Sequence, residues 1–176
     1  MSTVSQGTNH ATRQARFLRR VAFMPTPHDP RPLGAYSLLS ATFVAGLTTA
    51  LAFTPPSRRR KRLSAGDIVL IGVATSALSR LVTRDAVTAP WRAPFTEFEG
   101  PAGAGEVDER PRGHGLRRAI GELLTCPFCM APWASAGLFV AFVHAPRTTR
   151  FIASVLAGTM ISNVVNQAYV FLRKSS

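Results

Sequence analysis

Residues 33 to 53, LGAYSLLSATFVAGLTTALAF, carry no charge over 21 positions. A helix rising ~1.5 Å per residue over that length crosses a hydrocarbon core of ~30 Å. Lipid offers no partner for backbone N–H and C=O groups, so a run of this kind has to hold its main-chain bonds internally, as a helix. Three further runs repeat the pattern. Residues 67 to 83, DIVLIGVATSALSRLVT, form a shorter one, with Arg80 in the last turn, where a long side chain snorkels to the interface. Residues 126 to 145, CPFCMAPWASAGLFVAFVHA, are uncharged, and residues 151 to 172, FIASVLAGTMISNVVNQAYVFL, are closed by Arg173 and Lys174. The predicted fold class is therefore all-α: a polytopic membrane protein with about four transmembrane helices. An interfacial amphipathic helix is added by LRRAIGELLT, residues 116 to 125, where Leu116, Ala119, Ile120, Leu123 and Leu124 share one face.

The domain organisation follows from the same segregation. Residues 1 to 32 read as a basic N-terminal arm, with Arg13, Arg16 and Arg20 at helical spacing, suited either to lying on anionic lipid headgroups or to remaining disordered. Residues 33 to 176 read as the helical membrane domain. Within it, residues 96 to 115 are so rich in Gly, Pro and charge that they are expected to form a mobile loop. The first apolar run is read as retained: Ala50-Leu51-Ala52 offers a small-x-small site and Arg19-Arg20 a twin arginine, but the run is too long, and the basic region before it is too long and broken by prolines.

A formal charge of +12 beside 46% hydrophobic residues raises nucleic acid as a partner. The arginine clusters, however, flank the apolar runs, where positive loops are expected, so the partner they imply is the lipid bilayer and no nucleic acid. A cytoplasmic N-terminus puts 13 Lys and Arg inside against 7 outside, which favours a multi-pass protein of the cytoplasmic membrane with its N-terminus in. That orientation translocates the RRRKR cluster at residues 58 to 62, a dense local violation that a first helix failing to cross would remove.

Two runs carry polar stripes. Thr75, Ser76 and Ser79 share one helical face of the second run, and Thr159, Ser162, Asn163 and Asn166 share one of the fourth. Both are expected to turn inwards, as a polar cavity or as interhelical hydrogen bonds with close packing.

The two cysteines, Cys126 and Cys129, stand three apart at a helix start, where N–H groups favour a thiolate. Three readings are open: packing cysteines, a thiol–disulfide couple, or a metal site pooled across a dimer, since one chain offers two thiolates where a closed zinc site needs about four ligands. CPFC is similar to the Cys-Pro-Tyr-Cys of glutaredoxins without the surrounding βαβ pattern. A cysteine pair at the edge of a helical bundle also resembles quinone-linked oxidoreductases of the vitamin K epoxide reductase type, whose second cysteine pair this chain lacks.

SRLVTRDAVTAPWRAPF, residues 79 to 95, followed by GLRRAIGELLTCPFC, residues 115 to 129, resembles a family of small bacterial membrane proteins catalogued only as a domain of unknown function. The likeness runs from about residue 67 to 171 and rests on an Arg-Leu pair, an Asp-x-Val-Thr-x-Pro-x-Arg run and Leu-Leu-Thr-Cys-x-x-Cys. The positions it singles out are Arg80, Asp85, Thr88, Pro90, Arg92, Cys126 and Cys129. Asp85 is expected to pair with Arg80, Arg84 or Arg92 in a salt-bridge knot, which in its sharper form is a polar site where the arginines hold Cys126 as a thiolate. No nucleotide loop, catalytic triad or paired buried carboxylates appear. The chain therefore reads as a structural or interaction component without catalytic activity or cofactor, in a homo-oligomer or a larger membrane complex. The alternatives are the redox pair and the shared metal site.

Overall fold

The computed structural model describes residues 32–55 and 63–175. Apart from Pro32, the expected basic arm lies outside the described residues, as does the RRRKR cluster. In chain order the described elements are α1 (Leu33–Ala52), α2 (Ala65–Thr83), a 3-10 turn (Ala86–Thr88), the single helical turn α3 (Ala89–Arg92), strands β1 (Thr96–Gly103) and β2 (Glu106–Pro111), and helices α4 (Gly115–Thr125), α5 (Pro127–His144) and α6 (Pro146–Ser175). Among them α1, α2, α5 and α6 are long and apolar enough to cross a membrane. Their outer faces expose Val69, Ile161, Val165 and Phe171, a surface suited to lipid and costly in water.

The centre of the bundle is α2, which packs on both α5 and α6. Its buried Ile71 and Ala74 meet Leu138 and Phe142 of α5 and Ala153 of α6. Ala74 and Ala153 are fully buried at 0% exposure, so the backbones approach closely. Small residues allow this where lipid supplies no hydrophobic drive between helices. Helix α1 buries none of its side chains and touches the bundle from outside, with Phe43 edge-on to Trp133 at 5.1 Å. At its other end Thr54 lies 3.4 Å from the His144 ring.

Local signals set the helix ends. Ser64 and Asp67 close a capping box on α2, Cys126 caps α5, and Pro127 fills its first turn, where a missing N–H costs nothing. Helix α5 continues through Pro132.

The fold is not purely helical. Residues 96 to 111, inside the stretch expected to be a mobile loop, pair as an antiparallel hairpin from Thr96↔Pro111 to Gly103↔Glu106. Its tip turns on Ala104 and Gly105, both at positive φ (49° and 80°), the backbone of a tight two-residue hairpin turn. The sequence conceals the strands because they lack apolar alternation. A lone two-stranded hairpin is marginal in water, and this one is held by what it touches.

Candidate functional site

Helix α2 ends at Thr83, leaving its last carbonyls without helical donors. Arg92 supplies donors from ten residues on. Its guanidinium, 1% exposed, donates from Nη1 to the carbonyl of Val82 (2.9 Å) and the hydroxyl of Thr88 (2.5 Å), and from Nη2 to the carbonyl of Asp85 (3.2 Å). The Thr88 hydroxyl in turn donates to the carbonyl of Leu81 at 2.5 Å. The remaining edge of the guanidinium, Nε, meets Glu109 of β2 at 2.7 Å, in an ion pair whose side chains are 1% and 6% exposed. One planar cation thus closes the end of α2, orders the turn after it and fixes the hairpin.

Two more arginines of α2 and its C-cap reach the same strand. Arg80 Nε pairs with Glu106, and Arg84 Nη1 pairs with Asp108 at 2.7 Å. Backbone bonds run alongside, from Ala86 N–H to Gly105 and from Val107 N–H to Arg84. The other side of the hairpin base rests on α4 at Gly121, where a Cβ would stand 2.5 Å from the carbonyl oxygen of Phe95. The result is a compact headpiece at one end of the helices.

The arginines therefore choose different partners from the one expected. Asp85 lends Arg92 its backbone carbonyl, and among the described residues its carboxylate has no hydrogen bond. Burial pushes that carboxyl above its ordinary range, with Glu106 adding to the rise and Arg80 and Arg92 opposing it. Pro90 sits exposed in α3.

Both cysteines are free thiols. The half-buried Cys126 accepts the Cys129 N–H on its Sγ at 3.2 Å, as an N-cap does, while Cys129 is exposed. Cys129 lies on the wall of an apolar cavity of about 360 Å³ between α1, α4 and α5, beside Phe43, Leu123 and Trp133 and with no arginine in the lining. At the polar end of that cavity Glu122 accepts from the Tyr36 hydroxyl and from Arg118. Among the described residues no three His, Cys, Asp or Glu side chains cluster as metal ligands.

The polar stripes part company. Thr75 and Ser79 are buried, but their hydroxyls donate back to Ile71 and Ser76 of their own helix rather than across to a neighbour. Ser76 lines an open groove of about 510 Å³ with Arg80, Arg84 and Phe128. On α6, Thr159, Ser162, Asn163 and Asn166 are all exposed, so that face does not turn inwards.

Several residues of this arrangement escape sequence reasoning. Glu106, Asp108 and Glu109 looked like solvated loop charges, and only their spacing opposite Arg80, Arg84 and Arg92 hints at pairing. Asp67 is 5% exposed and holds Arg150 by two bonds. Its signal was the Ser64-x-x-Asp67 cap. Gly121 was visible as the one glycine in an otherwise good helical stretch.

Fold and site together define a four-helix protein of membrane-spanning character carrying a hairpin headpiece tied to α2 by arginine. The chain belongs to the family described as "Protein of unknown function (DUF1360)", whose model matches residues 70–169. It is also similar to a Bacillus subtilis (strain 168) protein called "Sporulation protein YjcA", with 30% identity over 101 residues, covering 56% of this chain and 86% of that one. No solved structure matches it.

Proposed function

We propose that this chain is a multi-pass membrane protein working as a structural or interaction component without a catalytic step, with the hairpin headpiece as its working part. The observation that carries this reading is the use made of Arg92. It is fully buried, and its donors go to two backbone carbonyls, one hydroxyl and Glu109. Arg80 and Thr88, singled out by the same resemblance, are bonded within the headpiece as well. Such a residue set, with its donors spent on groups of the same headpiece and of the end of α2, builds a shape. The N-terminus and headpiece lie on the cytoplasmic side, α4 lies flat at the interface, and the surrounding bilayer with its anionic headgroups is the first partner.

The similarity to a sporulation protein suggests a role for this chain in sporulation. Rescue of sporulation in a Bacillus subtilis strain lacking the relative tests that role.

A thiol–disulfide function is the second reading, favoured by the Cys126 cap and by Cys129 on a lipid-like cavity. Counting free thiols by mass-tagging in native membranes, with and without reductant, separates the two. A structural component shows two free thiols in both conditions, and Cys126→Ser/Cys129→Ser accumulates to the native level. A reversible disulfide of intermediate potential overturns the structural reading.

A further inference from the structure

We propose that the cavity between α1, α4 and α5 holds one phospholipid whose headgroup carries a primary ammonium, with an acyl tail in the apolar slot and the head on Glu122 and Arg118. The inference rests on the membrane-spanning reading of the chain and goes beyond the bilayer as general surroundings. It stands apart from the role of the hairpin.

The slot is shaped for a chain. Helix α1 buries none of its side chains and stands off α5, leaving the cavity of about 360 Å³ beside Leu39, Leu123 and Cys129 and a second of about 230 Å³ beside Leu47, Ala50 and Val140. Phe43 and Trp133 line both, so the two cavities lie on either side of one ring pair. Gly46 and Gly137 keep the second one open, since a Cβ at either would meet nothing within 4 Å. A cavity of ~150 Å³ takes a benzene ring, so the first has room for about a dozen carbons and the second for about nine. From Tyr36 to Gly46 the helix rises ~15 Å, the depth of one leaflet's hydrocarbon. A tail entering beside Tyr36 therefore reaches past the ring pair to the midplane.

The mouth selects the head. Glu122 lines the cavity and Arg118 stands beside it, bonded at 3.0 Å, with side chains 27% and 44% exposed. Glu122 takes the Tyr36 hydroxyl on one oxygen and Arg118 Nε on the other, using two of a carboxylate's roughly four acceptor sites. Among the described residues Arg118 bonds through Nε alone, which leaves its Nη groups for a phosphate. A carboxylate and a guanidinium side by side match a zwitterion, with the ammonium on Glu122 and the phosphate on Arg118. A choline head has no N–H to donate, and a glycerol head brings no positive charge to the carboxylate.

The test is native mass spectrometry of the purified full chain released from nanodiscs made of equal parts phosphatidylethanolamine, phosphatidylcholine and phosphatidylglycerol with identical acyl chains. One phosphatidylethanolamine per chain should be retained, by about tenfold over either competitor, the weight of one charge-assisted hydrogen bond. Glu122→Gln, which keeps an acceptor for Tyr36, should abolish that preference. Ser40→Phe, which fills the cavity from an exposed position on α1, should lower retention of all three lipids. Retention without regard to headgroup, a preference for phosphatidylglycerol, an unchanged preference in Glu122→Gln, or unchanged retention in Ser40→Phe would each overturn the proposal. Release of the chain from native membranes by alkaline carbonate would instead overturn the membrane-spanning reading beneath it.

Discussion

Asp67 and Arg150, 83 residues apart, form a two-point ion pair at 2.8 and 3.0 Å between the first turns of α2 and α6. The pair fixes the level of one helix against the other. It also draws in α5, because the Arg150 guanidinium stands 5.3 Å from the Phe142 ring centre. The partners are not equivalent. Asp67 closes the α2 capping box as well, accepting from the Ser64 N–H and hydroxyl, so its loss removes a cap and a clamp, while loss of Arg150 leaves the carboxylate held by Ser64. Asp67→Ala should therefore lower the melting temperature in detergent more than Arg150→Ala, and the double variant should be little worse than Asp67→Ala. The reverse order would place the clamp's strength in the arginine's contact with Phe142.

Arg92 and Glu109 make the opposite kind of pair, closed off from solvent at 1% and 6% exposure. Removing one partner leaves an uncompensated buried charge, at a cost of about 3–5 kcal/mol. Arg92→Ala and Glu109→Ala should each release the headpiece, seen as protease cleavage between residues 96 and 111 in otherwise intact membranes. Arg92→Lys should fail to rescue, since a point ammonium cannot serve Val82, Asp85, Thr88 and Glu109 together. Full protection in Arg92→Lys would show that charge alone suffices.

Gly121 carries the contact between α4 and the hairpin base. An added methyl would stand 2.5 Å from the Phe95 carbonyl and 3.1 Å from Pro111, both backbone atoms that cannot swing aside. Although alanine is the better helix former, Gly121→Ala should destabilise the protein by about 1–3 kcal/mol, and Gly121→Val more. A thermal-shift series in detergent reads this directly, and a stabilised Gly121→Ala would mean that α4 and the hairpin separate freely.

Four helices long and apolar enough to cross a membrane were legible because that signal is carried by runs of a single character, such as residues 33 to 53, and needs no knowledge of neighbours. The hairpin was not, since GPAGAG and EVDER hold no apolar alternation. Their order comes from Arg80, Arg84 and Arg92, which pair with acids 17 to 26 residues further on. The stripe of Asn163 and Asn166 was seen, yet its direction depends on how α6 sits against α2, a tertiary fact. The role of Asp67 was not legible, because its partner lies 83 residues on.

Asp85 decides between two accounts of the headpiece. If its carboxylate anchored the arginines, the amide variant Asp85→Asn would be less stable at neutral pH. In the structure the arginines bond Glu106, Asp108 and Glu109 instead, and burial raises the Asp85 carboxyl above its ordinary range. The folded state then binds the proton more tightly than the unfolded one, so this group's contribution to stability falls as pH rises through the ordinary carboxylate range to the raised folded value. Above that value the native chain bears the full desolvation cost and Asp85→Asn does not. The variant should accordingly melt higher than the native protein at neutral pH, and the gap should close as pH falls and the native carboxyl takes up its proton. Taking the difference between the two pH profiles isolates Asp85, because every other titrating group is shared by both proteins. A variant that melts lower at neutral pH would return Asp85 to the salt-bridge knot.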